Sequence, residues 1–481
     1  MPTVVLPIGS GFYRSSSLPI SAQECVNLIP HTPEAVSLSE QAMLGCPGIY
    51  EVDTAGGAGY ICRGAHVMNG VPYFVLGTSL YKLEVNETLT TIGTITGTGR
   101  VSMANNGLQL VIMVPGGEGY TYTEATNTLA VIADADFYAN GNPQAVVYLD
   151  GYFVFTTDEK KFILSDLNDA TSYNALQFGT AESSPDGIVT PIVYKNQLFI
   201  GGTHTIEAFN NIGGTDFPFE RTGLFIDKGI ASIFGVVSAY DTFIFIGAGV
   251  NESPMIYALT NNTVARISTD AVDAILAGVD DISDVFAWSY AAGGHYFVGF
   301  VVPGSCLVYD VTTSRWHERR SRIEVPAGVF TQRRYRVNAI VQAYGKLYVG
   351  DREDGRVGVL DSDTYTEYGN NIVRTFTTQP YQANMAPLFI PKLELTVESG
   401  VGNTAAPDPQ IAMSISRDGG QTFGDDRWRS MGGLGEYTRR AIWRRNGRSS
   451  RFDVYRFTVS DPVKTSIIQL TAQMVSPGAQ A

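Results

Sequence analysis

Short runs of apolar residues, most of them four to six long, alternate along this chain with Gly-, Asn- and Asp-rich breaks. One arrangement recurs. An apolar strand meets a tight turn, an aromatic-rich strand follows and often ends in Gly, and a loop leads to a third strand. The clearest copy runs Ala145–Leu149, then Asp150 and Gly151, then Tyr152–Phe155, then Lys161–Leu164. The turn positions that open the aromatic strand are Gly70, Gly107, Gly151, Asn196, Asp241, Gly294 and Gly345, at intervals of 37, 44, 45, 45, 53 and 51 residues. Asn, Asp and Gly suit such turns because the two central residues of a type I′ turn need positive φ. Three or four short strands every 40–50 residues is the signature of propeller blades, whose radial repetition hides the sheet edges. The pattern predicts an all-β fold: a β-propeller of about seven blades over residues 55–365.

The flanks differ. Residues 1–54 hold Pro2, Pro7, Pro19, Pro30, Pro33 and Pro47 and read as an extended N-terminal arm, able to complete a blade or reach a neighbouring subunit. Over 370–481 the runs Leu393–Val397, Ile411–Ile415, Arg440–Trp443, Phe452–Val459 and Ile467–Met474 predict a small β-sandwich-like domain. Asp270–Ala277 is the best short helix candidate. The apolar stretch near Ile230–Gly247, broken by Asp241, reads as two buried strands and not as a membrane span. Met1–Ser10 has neither a basic n-region nor a long apolar h-region, so synthesis in the cytoplasm without a signal peptide is expected.

Charge changes this picture in one place. The chain of 481 residues carries a net −14. From Arg417 to Arg456, however, ten arginines face five acids, an excess of five that leaves −19 elsewhere. Such asymmetry points to two faces or two partners. Arg439, Arg440, Arg444, Arg445, Arg448 and Arg451 surround Trp443. They fit ion pairing with an acidic surface on a neighbouring subunit or partner, phosphate contact with DNA, or a solvated face.

Candidate chemistry is sparse. Cys25, Cys46, Cys62 and Cys306 form no C-x-x-C pair, and the five histidines stand singly, so no metal site and no cofactor are expected. Ser416, Asp418, Gly420, Thr422 and Phe423 fit S-x-D-x-G-x-T-F, which looks like the Asp box of sialidase propellers, a structural turn and not a catalytic group. A propeller glycosidase is therefore kept as an enzymatic alternative, and a receptor-binding protein as a non-enzymatic one. Adjacent acids such as Asp280 and Asp281 point to opposite faces of a strand and do not make an acid/base pair.

Several segments in shared order over most of the chain add a resemblance. They are Val26-Asn27-Leu28, Pro47-Gly48-Ile49, Gly99–Ala104, Thr205–Phe209, Lys228–Ala231, Leu307–Asp310, Leu395–Ser399 and Ala441–Arg448. In these the chain resembles the packaged-DNA stabilization, or tail-hub (nozzle), proteins of lambdoid short-tailed phages. The loops between the segments depart from that family. The resemblance implies a structural, non-enzymatic virion protein: a hexameric ring below the head-to-tail adaptor. Such a ring would retain packaged DNA, support tailspikes, receive the tail needle and let double-stranded DNA pass without sequence-specific binding.

Overall fold

The hairpin turns close as their chemistry demands. Asn69 and Gly70, with φ of 52° and 78°, join Met68 to Val71 in a two-residue loop. Equivalent pairs of positive φ stand at Asp150–Gly151, Lys195–Asn196, Gly293–Gly294 and Tyr344–Gly345. Two of the expected turns differ. At 240–241 it is Tyr240 that takes the positive φ. Around Gly107 the loop is longer, because Asn105 pairs with Leu110 and the Asn106 carboxamide accepts from the amides of Leu108 and Gln109 at 2.9 and 2.7 Å.

A computed structural model describes residues 3–57, 59–181, 186–214, 217–260, 262–325, 327–382, 388–449 and 451–475. It is an all-β propeller with a C-terminal β-sandwich. Six blades are antiparallel meanders of four consecutive strands, at 62–94, 102–131, 143–180, 188–226, 236–266 and 286–318. The expectation of about seven such blades is thus corrected to six. The last repeat, 337–361, supplies only three strands in sequence. Its fourth is Gly48–Thr54, which runs antiparallel to Arg356–Asp361. This composite sheet packs against both the first and the sixth blades. Cys62, Phe74 and Leu76 share one apolar core with Tyr348, Val357 and Val359. Phe297, Val301 and Val308 share another with Ile49, Val349 and Leu360.

The rest of the extended N-terminal segment, from residue 3, is tied down as well. Thr3–Leu6 pairs with 470–473 of the sandwich, and Ala42–Gly45 joins the same sheet. Cys25–Val26 lies between the last strand of the sixth blade, Arg315–Glu318, and Arg374–Thr377. Fully buried Asn27, at φ 56°, fixes that crossing. Its carboxamide nitrogen donates to the carbonyls of Arg320 and Val373, both at 2.9 Å, and its oxygen accepts from the Arg320 amide at 3.0 Å. Propeller and sandwich consequently share a nine-stranded sheet.

One end of the propeller axis is filled. Arg100, which precedes the second blade, lies with its guanidinium carbon 3.7 Å from the Phe286 ring centre and 5.5 Å from that of Phe234, residues of the opposite side of the ring. It donates to the Asn338 carbonyl at 3.0 Å, and Asn338 in turn donates to the Cys62 carbonyl at 2.9 Å. Asp270–Ala277 is an α-helix, capped by the Thr269 hydroxyl. All four cysteines are free thiols and buried. Among the described residues, no helix is long and apolar enough to cross a membrane.

Candidate assembly surface

The arginine-rich stretch separates into two groups. Arg427 donates to the Asn446 side chain at 2.8 Å and to the Arg444 carbonyl at 2.6 Å, and Arg429 donates to the Ile442 carbonyl at 2.7 Å. Arg417 is paired with Asp453, and Arg440 grips both oxygens of Glu394 at 2.5 Å. These guanidiniums fasten the strand Ala441–Arg444 and its following loop to the sandwich. Arg439, Arg444, Arg445 and Arg448 are exposed and have no side-chain partner among the described residues. Arg451 lies 4.7 Å over the Phe452 ring.

Trp443 is a correction. Expected at a partner contact, it is fully buried. Alternation along the strand turns Ala441 and Trp443 inward and leaves Arg444 outside. The indole nitrogen donates to the Arg427 carbonyl at 2.6 Å, and the ring meets Phe457 edge-on with centres 5.5 Å apart. Arg440, already bidentate on Glu394, is committed within its own chain as well.

The Ser416–Phe423 turn is closed from inside. Asp418 Oδ1 accepts from the Ser416 hydroxyl at 2.6 Å and from the amides of Gln421 and Thr422 at 2.9 and 3.0 Å; Oδ2 accepts from the Thr422 hydroxyl at 2.6 Å. These donors, the Ser416 and Thr422 hydroxyls foremost, hold the carboxyl far below the usual carboxylate range. With its lone pairs committed, Asp418 serves the turn and has no capacity left for acid–base work. A Cβ at Gly420, whose φ is 100°, would stand 2.8 Å from Ala22, so the turn seats the N-terminal segment closely. Phe423 lies beneath the Arg456 guanidinium at 3.6 Å.

Sequence reasoning missed a hairpin, Arg320–Glu324 with Phe330–Arg334, set between the sixth and composite blades. The signal was present: apolar Ile323, Val325, Val329 and Phe330 around Gly328, in a stretch interleaved with arginines.

Comparison with known proteins accounts for both halves. Residues 4–365 match the family described as bacteriophage P22 Gp10, beta-propeller, and residues 373–475 match bacteriophage P22 Gp10, beta-sandwich. The chain belongs to the phage P22 Gp10 family. The tail hub protein gp10 of Salmonella phage P22 is 25% identical over 463 residues, covering 92% of this chain and 94% of that protein. Among solved structures, the WD40 beta propeller domain of Doa1 aligns over 65% of this chain and 96% of its own, at 12% identity and a TM-score of 0.40. The N-terminal domain of Nup159 aligns over 70% and 98%, at 10% identity and a TM-score of 0.42. As a Gp10-family member the chain is a structural tail-hub component of a phage virion tail, the role the resemblance implied.

Proposed function

We propose that this chain assembles with copies of itself into a ring, a hexamer, below the head-to-tail adaptor of a short-tailed phage. There it retains packaged DNA, supports tailspikes, meets the tail needle and lets double-stranded DNA pass without reading its sequence. The protein is building material and not an enzyme. The observation that carries this reading is the match of both halves, in one chain and in order, to the Gp10 propeller and sandwich over nearly the full length of a tail hub relative. The chain divides by task. Residues 1–54 tie the parts together, 55–365 form the wall, and 370–481 present the docking arginines.

The exposed Arg439, Arg444, Arg445 and Arg448, flanked by Arg451, dock on an acidic surface of a neighbouring copy or of the adaptor. Guanidinium forks suit carboxylates, and a chain of net −14 offers carboxylates in excess. The remaining acidic surface lines the passage, where like charge keeps DNA from adhering. The test is the triple variant R444E/R445E/R448E. Its unfolding should stay within about 1.5 kcal/mol of the parent, at about 0.5 kcal/mol for each surface change. The chain should nevertheless be missing from isolated tails. Normal tails built from the folded variant would overturn the docking role.

A further inference from the structure

We infer that neighbouring copies meet knob to hole, the tip of the 320–334 hairpin of one copy seating in a cleft on the far side of the next. The inference rests on the proposed ring and names the contact that would build it.

The knob is an apolar tip on a basic stem. The hairpin pairs with no other strand among the described residues. Two-stranded ribbons are marginal alone, and this one is held against the body by Ile323, one pair short of its last, and by Tyr335 just past its base, 6% and 1% exposed. Past Ile323 the side chains turn to solvent: Val325 is 44% exposed, Val329 49% and Phe330 39%. Glu324 accepts from the Gly328 amide at 2.6 Å. Arg322 covers the Phe330 ring at 4.1 Å, and Arg333 is exposed. An exposed apolar cluster set among arginines has the make-up of an interface anchor.

The hole is a cleft of about 380 Å³ between the sixth blade, the composite sheet and the N-terminal segment. Ile29, Leu44, Tyr290, Phe297, Leu347 and Leu360 give it apolar walls. Asp361 and Ser362 stand on its rim, with Asp363 exposed beside them. Its size suits one or two apolar side chains, and its rim carries the charge that complements Arg322 and Arg333.

A chain cannot fill its own cleft. Strand order puts the 292–295 turn, the start of Lys346–Asp351 and the end of Arg356–Asp361 at one end of the blades. The sixth blade finishes at Glu318, at the opposite end, and the hairpin departs from there. Knob and hole therefore lie on opposite faces of the disc. A contact between different patches of identical chains is heterologous, and it closes into a ring when the rotation permits. The occupant is a second copy: the same chain carries both parts, matched in polarity and charge.

The test places cysteines at the two surfaces, V329C with S362C, in virions carrying this chain; the native thiols are buried. A bifunctional maleimide applied to isolated tails should give a ladder of multimers from the double variant and none from either single one. V329D should lower incorporation of the chain into tails about tenfold, the loss expected for an anchor residue, with unfolding unchanged. Double-variant tails that contain the chain and give no ladder, or V329D tails filled normally, would overturn the contact while leaving the hub intact. A chain found outside the tail altogether would overturn both.

Discussion

The composite sheet makes a prediction that no isolated propeller would. Ile49 sits on the strand Gly48–Thr54, opposite Leu360, and is fully buried against the sixth and composite blades. Ile49→Ala removes three buried carbons, about 2.4 kcal/mol at roughly 0.8 kcal/mol each. The unfilled space adds to this, so the loss should fall in the range of about 2–5 kcal/mol. Glu51, on the same strand, is the internal control. It faces solvent and stands 3.7 Å from Arg356, with the two side chains 45% and 23% exposed. Glu51→Ala should cost less than about 1 kcal/mol. Urea unfolding of both variants beside the parent provides the measurement, with limited proteolysis reporting whether residues 46–61 come loose. In Ile49→Ala, protease should cut that segment and then the first blade, because the ring has lost its closing strand. Equal midpoints for the two variants, or cleavage confined to the sandwich, would refute the assignment of this strand to the ring.

Trp443→Ala should cost about 3–5 kcal/mol and Arg444→Ala no more than about 0.5 kcal/mol in the same assay; the reverse order would return Trp443 to the surface. His317 is fully buried, and burial, with Arg319 and His295 nearby, pushes its pKa down to about 3. An unfolded histidine titrates near 6.5, so below that pH the unfolded chain binds the extra proton. The stability His317 contributes is complete above about pH 6.5 and is lost as pH falls, by up to about 1.4 kcal/mol per unit. His317→Phe should remove one proton's worth of that slope between pH 6.5 and 5, and an unchanged slope would exclude the effect.

How much was legible depended on distance along the chain. The two-residue turns announced themselves because left-handed backbone needs Gly, Asn or Asp at fixed offsets, and the helix at Asp270–Ala277 had its cap residue in place. That the N-terminal arm can complete a blade was legible, but which strand it meets was not, because the partner of Gly48–Thr54 lies some 300 residues away and nothing local marks a pairing so far off. Trp443 was misplaced by its arginine neighbours, although the alternation of Ala441 and Trp443 with Ile442 and Arg444 carried the answer. Arginine also misled in the interior. Arg63 is 1% exposed and spends its guanidinium on the carbonyls of Gly99, Gly77, Ile95 and Thr96 at 2.6–3.1 Å, whereas sequence reasoning assigns arginine to the surface. Arg444, Arg445 and Arg448, without side-chain partners among the described residues, look the same in sequence as their paired neighbours; only the fold separates them.

The guanidinium of Arg100, laid across the hub of the wheel onto Phe286, has a consequence for anything that travels down a tail. A wheel whose axle hole is stopped at one end is not a pipe. In the proposed ring a genome would run alongside every wheel and through none of them, so the bore would belong to the assembly, its width set by how many wheels stand around it and how they lean.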